Sequence, residues 1–228
     1  MGWVSTRPVG GCASIFISAL WKCKLRESAP ALCFHQLSTD EKGNAMREIR
    51  RVITGVNEAG QSVFVRDDVV EAISPPLLGG NSIFTLYGSD EHPIVPNDGS
   101  FPDDLRYFPT AQGFRMGIFT HPPKSEQTTY EDFDAAFAET ERMSPGLTNI
   151  VTDELAMHAT STIDLEYVIA GEFTLTLDSG ETKVLKAGDT IVHCGENHKW
   201  SNEGTERAVM LVVFIGADSN PSRFRPNG

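Results

Sequence analysis

Two stretches in the C-terminal half of the chain carry the residues best suited to chemistry. The first contains His158, Thr160 and Asp164, and the second contains His193 and His198. Residues separated by an even number of positions lie on the same face of a strand, so His158 and Asp164 share a face if their segment is extended. His198 arrives from a later strand, after a turn. Two imidazoles and one carboxylate that converge in this way form a 2-His-1-carboxylate site, which holds a divalent metal ion and leaves positions open for substrate or oxygen.

His193 precedes His198 by five residues, and three roles are open to it. It could supply an imidazole to the metal, act as an acid or base near neutral pH, or be a solvent-facing or hydrogen-bonded strand residue. The third interpretation is favoured, but His193 stays among the candidate catalytic residues together with His158, Asp164 and His198. The other histidines are expected at the surface or outside the fold: His35, His92 and His121.

The overall composition excludes several classes of protein. Hydrophobic residues make up 40% and charged residues 22% of the 228 positions, as in a globular protein with one substantial domain. The net charge of -12 argues against nucleic acid or an anionic membrane as partner, since both favour clustered lysine and arginine. The longest apolar run is well short of the about 20 residues that cross a membrane. We expect a cytoplasmic protein whose partner is a small-molecule substrate.

The four cysteines do not indicate a disulfide framework or a structural zinc site, because they form no Cys-x-x-Cys pair and three of them fall within the first 33 residues. Cys194 stands apart from the other three. We interpret it as a small, partly buried residue rather than a nucleophile.

A change in charge near residue 45 predicts where the folded domain begins. Residues 1–45 carry five basic and three acidic residues, whereas residues 46–228 carry 14 basic and 28 acidic residues. We expect residues 1–45 to be a poorly ordered extension and residues 46–228 to form the domain. Two alternatives remain for the extension: a secretory signal, which lacks a good cleavage site, and N-myristoylation at Gly2.

Short apolar segments between turns predict an all-β domain. Strands are predicted from Met46 onward and, through alternating or continuous apolar residues, at 62–66, 81–87, 113–120, 172–177 and 207–214. Many short strands at this spacing are typical of a sandwich or jelly-roll barrel.

One helix is predicted to interrupt the strands. Thr129 is its expected N-cap, with Asp132 three residues later, and the Ser-Pro-Gly sequence from Ser144 ends it. Its aromatic residues share one helical face and are expected to pack against the barrel: Tyr130, Phe133 and Phe137.

The two stretches with histidine resemble the paired motifs of the cupin superfamily. Alignment on Gly171 places His158 and Thr160 at the two histidines of the first motif and Asp164 at its glutamate. The second motif is matched by Gly188, Gly195, His198 and Asn202, but its spacing is one residue short and Cys194 stands near its proline. Thr160 is a weak ligand, so the resemblance implies a site with three good metal ligands: His158, Asp164 and His198.

The resemblance implies a single cupin jelly-roll barrel with one short helix. The chain also resembles a fungal and bacterial group of secondary-metabolism cupins, and this implies a metal-dependent oxidoreductase acting on a small organic molecule in secondary, polyketide-like metabolism. The implied cofactor is a divalent metal, with Fe(II) favoured and Zn, Mn or Ni open, and no nucleotide cofactor is expected. A homodimer is a further expectation.

Two other functions stay open at this point. The first is a non-redox dehydratase, isomerase or cyclase, in which the metal is only a Lewis acid or a histidine moves a proton. The second is a metal-free cupin that binds a small molecule without transforming it.

Overall fold

The computed structural model describes residues 48–150 and 157–219. The predictions made for residues 1–45 lie outside this part, as does the start of the first strand at Met46. The described part has no helix with the length and apolar character that a membrane crossing requires.

A β-hairpin opens the described part of the chain. Strands β1 (Glu48–Val56) and β2 (Ser62–Glu71) pair antiparallel, with a bulge after Ile53. The turn is held by Asn57, whose side-chain oxygen accepts hydrogen bonds from the backbone N–H groups of Ala59 and Gln61. This is the side-chain-to-backbone bonding that favours asparagine in turns.

The largest sheet has five antiparallel strands in the order β3-β4-β10-β5-β8. Its central strand, β10, is the last of the described strands in sequence and pairs with β4 on one side and β5 on the other. The strand bounds are β3 (Ser82–Ser89), β4 (Phe114–His121), β5 (Thr162–Ala170), β8 (Thr190–His193) and β10 (Ala208–Gly216).

A three-stranded antiparallel sheet, in the order β7-β6-β9, faces the five-stranded sheet. Its strands are β6 (Glu172–Leu177), β7 (Thr182–Lys186) and β9 (His198–Ser201). Phe173 on β6 is completely buried and packs with Val168 and Met210 of the opposite sheet. The prediction of an all-β domain built from facing antiparallel sheets is confirmed.

Strand β10, at the centre of the five-stranded sheet, is covered on both faces over most of its length. Met210 points toward the three-stranded sheet, while Val209 belongs to a second core cluster on the other face. Ile49 and Val70 of the hairpin pack against that second cluster. The nearly continuous apolar run predicted for β10 is therefore explained, because both faces of the strand are covered until Ile215, which is exposed near its end.

Helix α1 (Phe133–Met143) begins later than predicted and turns a different face inward. Its N-cap is Asp132, not Thr129, and the Asp132 carboxylate accepts a hydrogen bond from the Ala135 N–H. The buried residues are Ala136 and Thr140, so the prediction that the aromatic stripe packs inward is wrong. Small residues allow the helix to approach the 3-10 turn at Pro76–Leu78, where the Thr140 hydroxyl accepts a hydrogen bond from the Leu77 N–H. The aromatic residues remain half-exposed: Tyr130, Phe133 and Phe137.

Candidate functional site

A cavity of about 720 Å³ opens between the two sheets. This volume is within the range of small-molecule sites. One part of its lining is apolar, and includes Phe119, Met210, Val212, Phe214 and Trp200. Another part carries the polar side chains that the sequence motifs predict: His158, Thr160, Asp164 and His198.

Strand β5 supplies the acidic wall of the cavity. Thr162, Asp164 and Glu166 alternate along the strand and are all buried. The Thr162 hydroxyl donates to Thr160, and the Thr160 hydroxyl donates to Asp164 Oδ2 at 3.4 Å. Thr160 therefore orients the carboxylate by a hydrogen bond. Asp164 Oδ1 and Glu166 Oε2 are buried without a hydrogen-bond partner among the described residues.

His193 lies between two carboxylates. Its side chain is 1% exposed, so a solvent-facing position is wrong, whereas the hydrogen-bonded alternative is confirmed. Nδ1 donates to the Glu196 carboxylate, and Nε2 lies 3.5 Å from Glu166 Oε2. The register of β5 and β8 places His193 opposite Asp164. Three acidic groups thus surround one buried imidazole.

His158 and His198 form a pair across a β-bridge. Their backbones exchange two hydrogen bonds of 2.9 Å, and their ring centroids lie 4.5 Å apart. His198 Nδ1 lies 2.9 Å from the backbone carbonyl of Glu196. Because a carbonyl only accepts, Nδ1 carries the proton, and the lone pair of the neutral ring is on Nε2. An imidazole oriented in this way is typical of metal ligands.

The buried charges shift one another's pKa values. Burial raises the pKa of Asp164 to about 6 and also raises the pKa of Glu166. Burial opposes the charged form of His193, but the contacts with Glu166 and Glu196 outweigh it and raise its pKa to about 9. Burial and the nearby charge of His193 lower the pKa of His198 to about 4. At neutral pH His193 is therefore an imidazolium and His198 is neutral.

The side chains whose potential metal-binding atoms lie closest together are not the predicted ligand set. Among the described residues, His193, Glu196 and His198 have ligand atoms within 4.8 Å of one another. However, both nitrogens of His193 face carboxylates, and its ring stacks on that of His198 with planes 14° apart. Two rings stacked face to face do not direct their nitrogen atoms at one ion, and a protonated His193 has no lone pair to donate. We interpret this group as a charge cluster.

The residues that line the cavity fit a divalent ion by donor type. His158 and His198 provide two adjacent imidazoles, and Asp164 provides a buried carboxylate oxygen that has no hydrogen-bond partner within the described part of the chain. Asp164 is outside the closest group of ligand atoms. The predicted set of His158, Asp164 and His198 therefore stays a prediction.

Three further residues lie near Asp164 or His193, and the sequence motifs do not predict them. Glu166 follows the same alternation as Asp164, so the period of the strand was a sufficient signal for it. Glu196 lies in the turn before His198, where sequence alone gives no indication of contact with His193. Tyr107 comes from a loop that lines the cavity, and burial, with Glu166 and Asp164 adding to it, raises the pKa of its hydroxyl.

Other predictions for single residues have mixed outcomes. His92 is exposed as expected, but His121 is buried, because it lies at the end of β4 on the inner face of the sheet. Cys194 is exposed rather than partly buried, since it lies in the turn between β8 and β9. His35 lies outside the described residues.

Two positions of the second motif have structural roles. Asn202 is buried and its amide donates to the backbone carbonyls of His121 and Glu206, which fixes the turn after β9. Gly195 has a φ of 81°, in the left-handed region that favours glycine.

Comparison with known proteins agrees with this architecture. Residues 152–214 match the family model of the cupin domain. The chain is 29% identical over 185 residues to the Phomopsin biosynthesis cluster protein D of Diaporthe leptostromiformis, which covers 81% of this chain and 86% of that protein.

Two further relatives are named as oxidoreductases. The cupin-domain-containing oxidoreductase srdD of Neurospora crassa is 26% identical, over 69% of this chain and 68% of that protein. The cupin-domain-containing oxidoreductase virC of Hypocrea virens is 26% identical, over 75% of this chain and 77% of that protein. Over residues 152–214 the chain is thus similar to cupin domains, and its two facing antiparallel sheets agree with that similarity.

Proposed function

We propose that this chain is a cupin oxidoreductase that acts on a small, largely apolar organic molecule in secondary metabolism. The observation that carries the proposal is the cavity, whose apolar lining ends at a group of buried imidazoles and carboxylates. The names of the relatives support the class of reaction and the metabolic setting.

The cavity lining favours an apolar substrate with a polar reacting group. Met210, Val212 and Phe214 form an apolar row on one face of β10. On the neighbouring strand β5, Glu166 pairs with Val212 and Asp164 pairs with Phe214, so the acidic residues lie beside one end of this row. An apolar substrate body is held by this row through burial, which is worth about 25 cal/mol for each Å² removed from water. Its reacting group then lies beside His158, His198 and Asp164.

The metal site is the finer part of the proposal. His158, His198 and Asp164 would hold a divalent ion such as Fe(II), which supplies redox chemistry when bound with open positions. The Glu196 carbonyl orients His198 through Nδ1, and Thr160 orients Asp164 through its hydroxyl.

Metal content and oxygen uptake test the proposal together. The protein purified without chelator should contain metal in stoichiometric amount, and His158→Ala and His198→Ala should each lose it. The exposed His92→Ala is the matched control and should retain the metal. Oxygen uptake should accompany turnover in a screen of aromatic and polyketide-like compounds. Turnover without oxygen uptake would contradict an oxygen-dependent oxidoreductase.

A second candidate is a metal-free acid–base enzyme, such as a dehydratase or isomerase. The observation that favours it is the position of His193 between Glu166 and Glu196, because its positive charge offsets buried acidic groups in the way that a cation would. Wild-type protein that turns over substrate with full activity after dialysis against a chelator would favour this candidate over the first.

A further inference from the structure

A buried amide lines the cavity away from the carboxylates. Asn81 is 8% exposed, and its Oδ1 atom is buried without a hydrogen-bond partner among the described residues. Asn81 also lines the cavity described above. A buried acceptor without a hydrogen-bond partner costs free energy. Its presence beside a cavity therefore indicates that a bound ligand donates a hydrogen bond to it.

The sheet register places Asn81 far from Asp164. Ser82 pairs with Thr120, so the preceding residue, Asn81, is next to His121 at the end of β4. His121 pairs with Ala208 on β10, whereas Asp164 pairs with Phe214, six residues further along the same strand. At about 3.3 Å per residue, the two polar positions are separated by about 20 Å along the sheet.

The wall that the five-stranded sheet contributes between these positions is apolar, while the facing sheet adds the polar side chains of Thr174, Thr176 and Ser201 to the lining. Met210 and Val212 on β10, with Phe119 on β4, lie between the Asn81 end and the Asp164 end. The neighbour of Asn81, His121, is buried, and its Nδ1 lies 3.0 Å from the Pro122 carbonyl. Burial lowers the pKa of His121, so that ring is neutral at neutral pH. The Asn81 end therefore presents a buried amide oxygen beside a buried imidazole, and the exposed Glu203 also lines the cavity.

We propose that Asn81 is a specificity-determining residue, which accepts a hydrogen bond from a neutral hydroxyl or N–H group at the end of the substrate remote from Asp164. The substrate class is then an elongated, mainly apolar molecule with a donor at its far end. The proposal rests on the proposed function only in assigning the reacting end to Asp164; binding at Asn81 does not require turnover.

Binding of simple probes tests this assignment without knowledge of the reaction. The probes are α,ω-diols of eight to twelve carbons and the 1-alkanols of the same length, which differ only in the second hydroxyl. Their affinities for the full chain are measured by isothermal titration calorimetry. We expect the best diol to bind wild-type protein about tenfold more tightly than its alkanol, the effect of one buried hydrogen bond.

The decisive variant is Asn81→Leu, which has a similar volume but no acceptor. It should bind diol and alkanol with nearly equal affinity, while its affinity for the alkanol stays within about twofold of wild type. Gln127→Leu is the matched control, because it removes an exposed amide from the same cavity, and it should keep the preference for the diol. If Asn81→Leu does not fold, Asn81→Ser serves in its place and should lose most of the preference.

Two results would overturn the assignment. One is an unchanged diol preference in Asn81→Leu, which would place the second hydroxyl elsewhere. The other is no diol preference in wild-type protein, which would mean that Asn81 Oδ1 is satisfied by a water molecule. Both results come from binding measurements alone. The proposed oxidoreductase activity is tested separately, by metal content and oxygen uptake.

Discussion

The imidazole rings of His193 and His198 stack in parallel, with centroids 3.9 Å apart and planes 14° from one another. The two rings carry different charges at neutral pH, because His193 has carboxylates at both nitrogens and His198 has a backbone carbonyl at one. Burial, together with the charge of His193, lowers the pKa of His198 and keeps its ring neutral. A neutral His198 retains the lone pair that a metal ligand or a base requires.

The raised pKa of His193 predicts how stability changes with pH. Its pKa rises from 6.5 to about 9 on folding, so its contribution is fully present below pH 6.5 and is lost as the pH rises through about 9. Relative to His193→Gln, wild-type protein should be more stable by on the order of 3 kcal/mol at pH 6. Urea unfolding at pH 6 and pH 9.5 checks this. The exposed His92→Gln should show no such change, and a difference that grows with pH would contradict it.

The raised pKa of Asp164 predicts that its substitution stabilises the protein, which is opposite to the effect expected at His193. Its pKa rises from 3.8 to about 6, so the buried carboxylate costs stability as the pH rises from about 4 to above 6. Asp164→Asn should therefore stabilise the chelator-treated protein at pH 8, by up to about 3 kcal/mol, and have little effect at pH 4. Denaturant unfolding at the two pH values measures the difference. The control is Asp104→Asn at an exposed position, and a destabilised Asp164→Asn at pH 8 would argue against this account.

The contact between the two sheets depends on Phe173. Its side chain is completely buried against Val168 and Met210, so Phe173→Ala leaves a cavity and should lower the free energy of unfolding by about 3–5 kcal/mol. Phe64 is the matched control, since 79% of its surface is exposed, and Phe64→Ala should change the free energy by less than about 0.5 kcal/mol. Chemical denaturation of the two variants distinguishes them, and equal losses would place the core elsewhere.

Alanine substitutions at Gly171 and Gly180 distinguish the effect of backbone strain from that of steric conflict. Gly171 and Gly180 have φ values of 68° and 86°, so alanine at either position costs about 1–2 kcal/mol of strain. A Cβ atom at Gly171 would also lie 2.7 Å from the Cα atom of Ala208, whereas nothing lies within 4 Å of one at Gly180. Gly171→Ala should therefore lower the melting temperature well beyond Gly180→Ala. Equal shifts in calorimetry would mean that β10 moves freely away from the turn.

Local patterns in the sequence account for much of the fold. Strand β6 (Glu172–Leu177) is predicted with its observed bounds, because its alternation is undisturbed and turns flank it. The helix is predicted with the wrong buried face, because aromatic residues outweigh alanine and threonine in any hydrophobic pattern. What decides the face is the space beside Pro76–Leu78, which only small side chains fit.

The candidate site is less predictable than the fold. His158, Asp164 and His198 follow from motif and alternation, but Glu196 and Asn81 acquire their roles from contacts that no local pattern encodes. Asn81 lies next to His121 only because β3 pairs with β4. The burial of His193 likewise depends on pairing with β5, about thirty residues earlier in the chain.

The central place of β10 has a consequence for how the protein is made. The ribosome completes β4 and β5 before Ala208 emerges, and each of them then lacks its β10 neighbour. Until β10 inserts, β4 exposes an open edge to other nascent chains, and open edges promote aggregation. Insertion of the nine residues Ala208–Gly216 between β4 and β5 closes both of these edges at once.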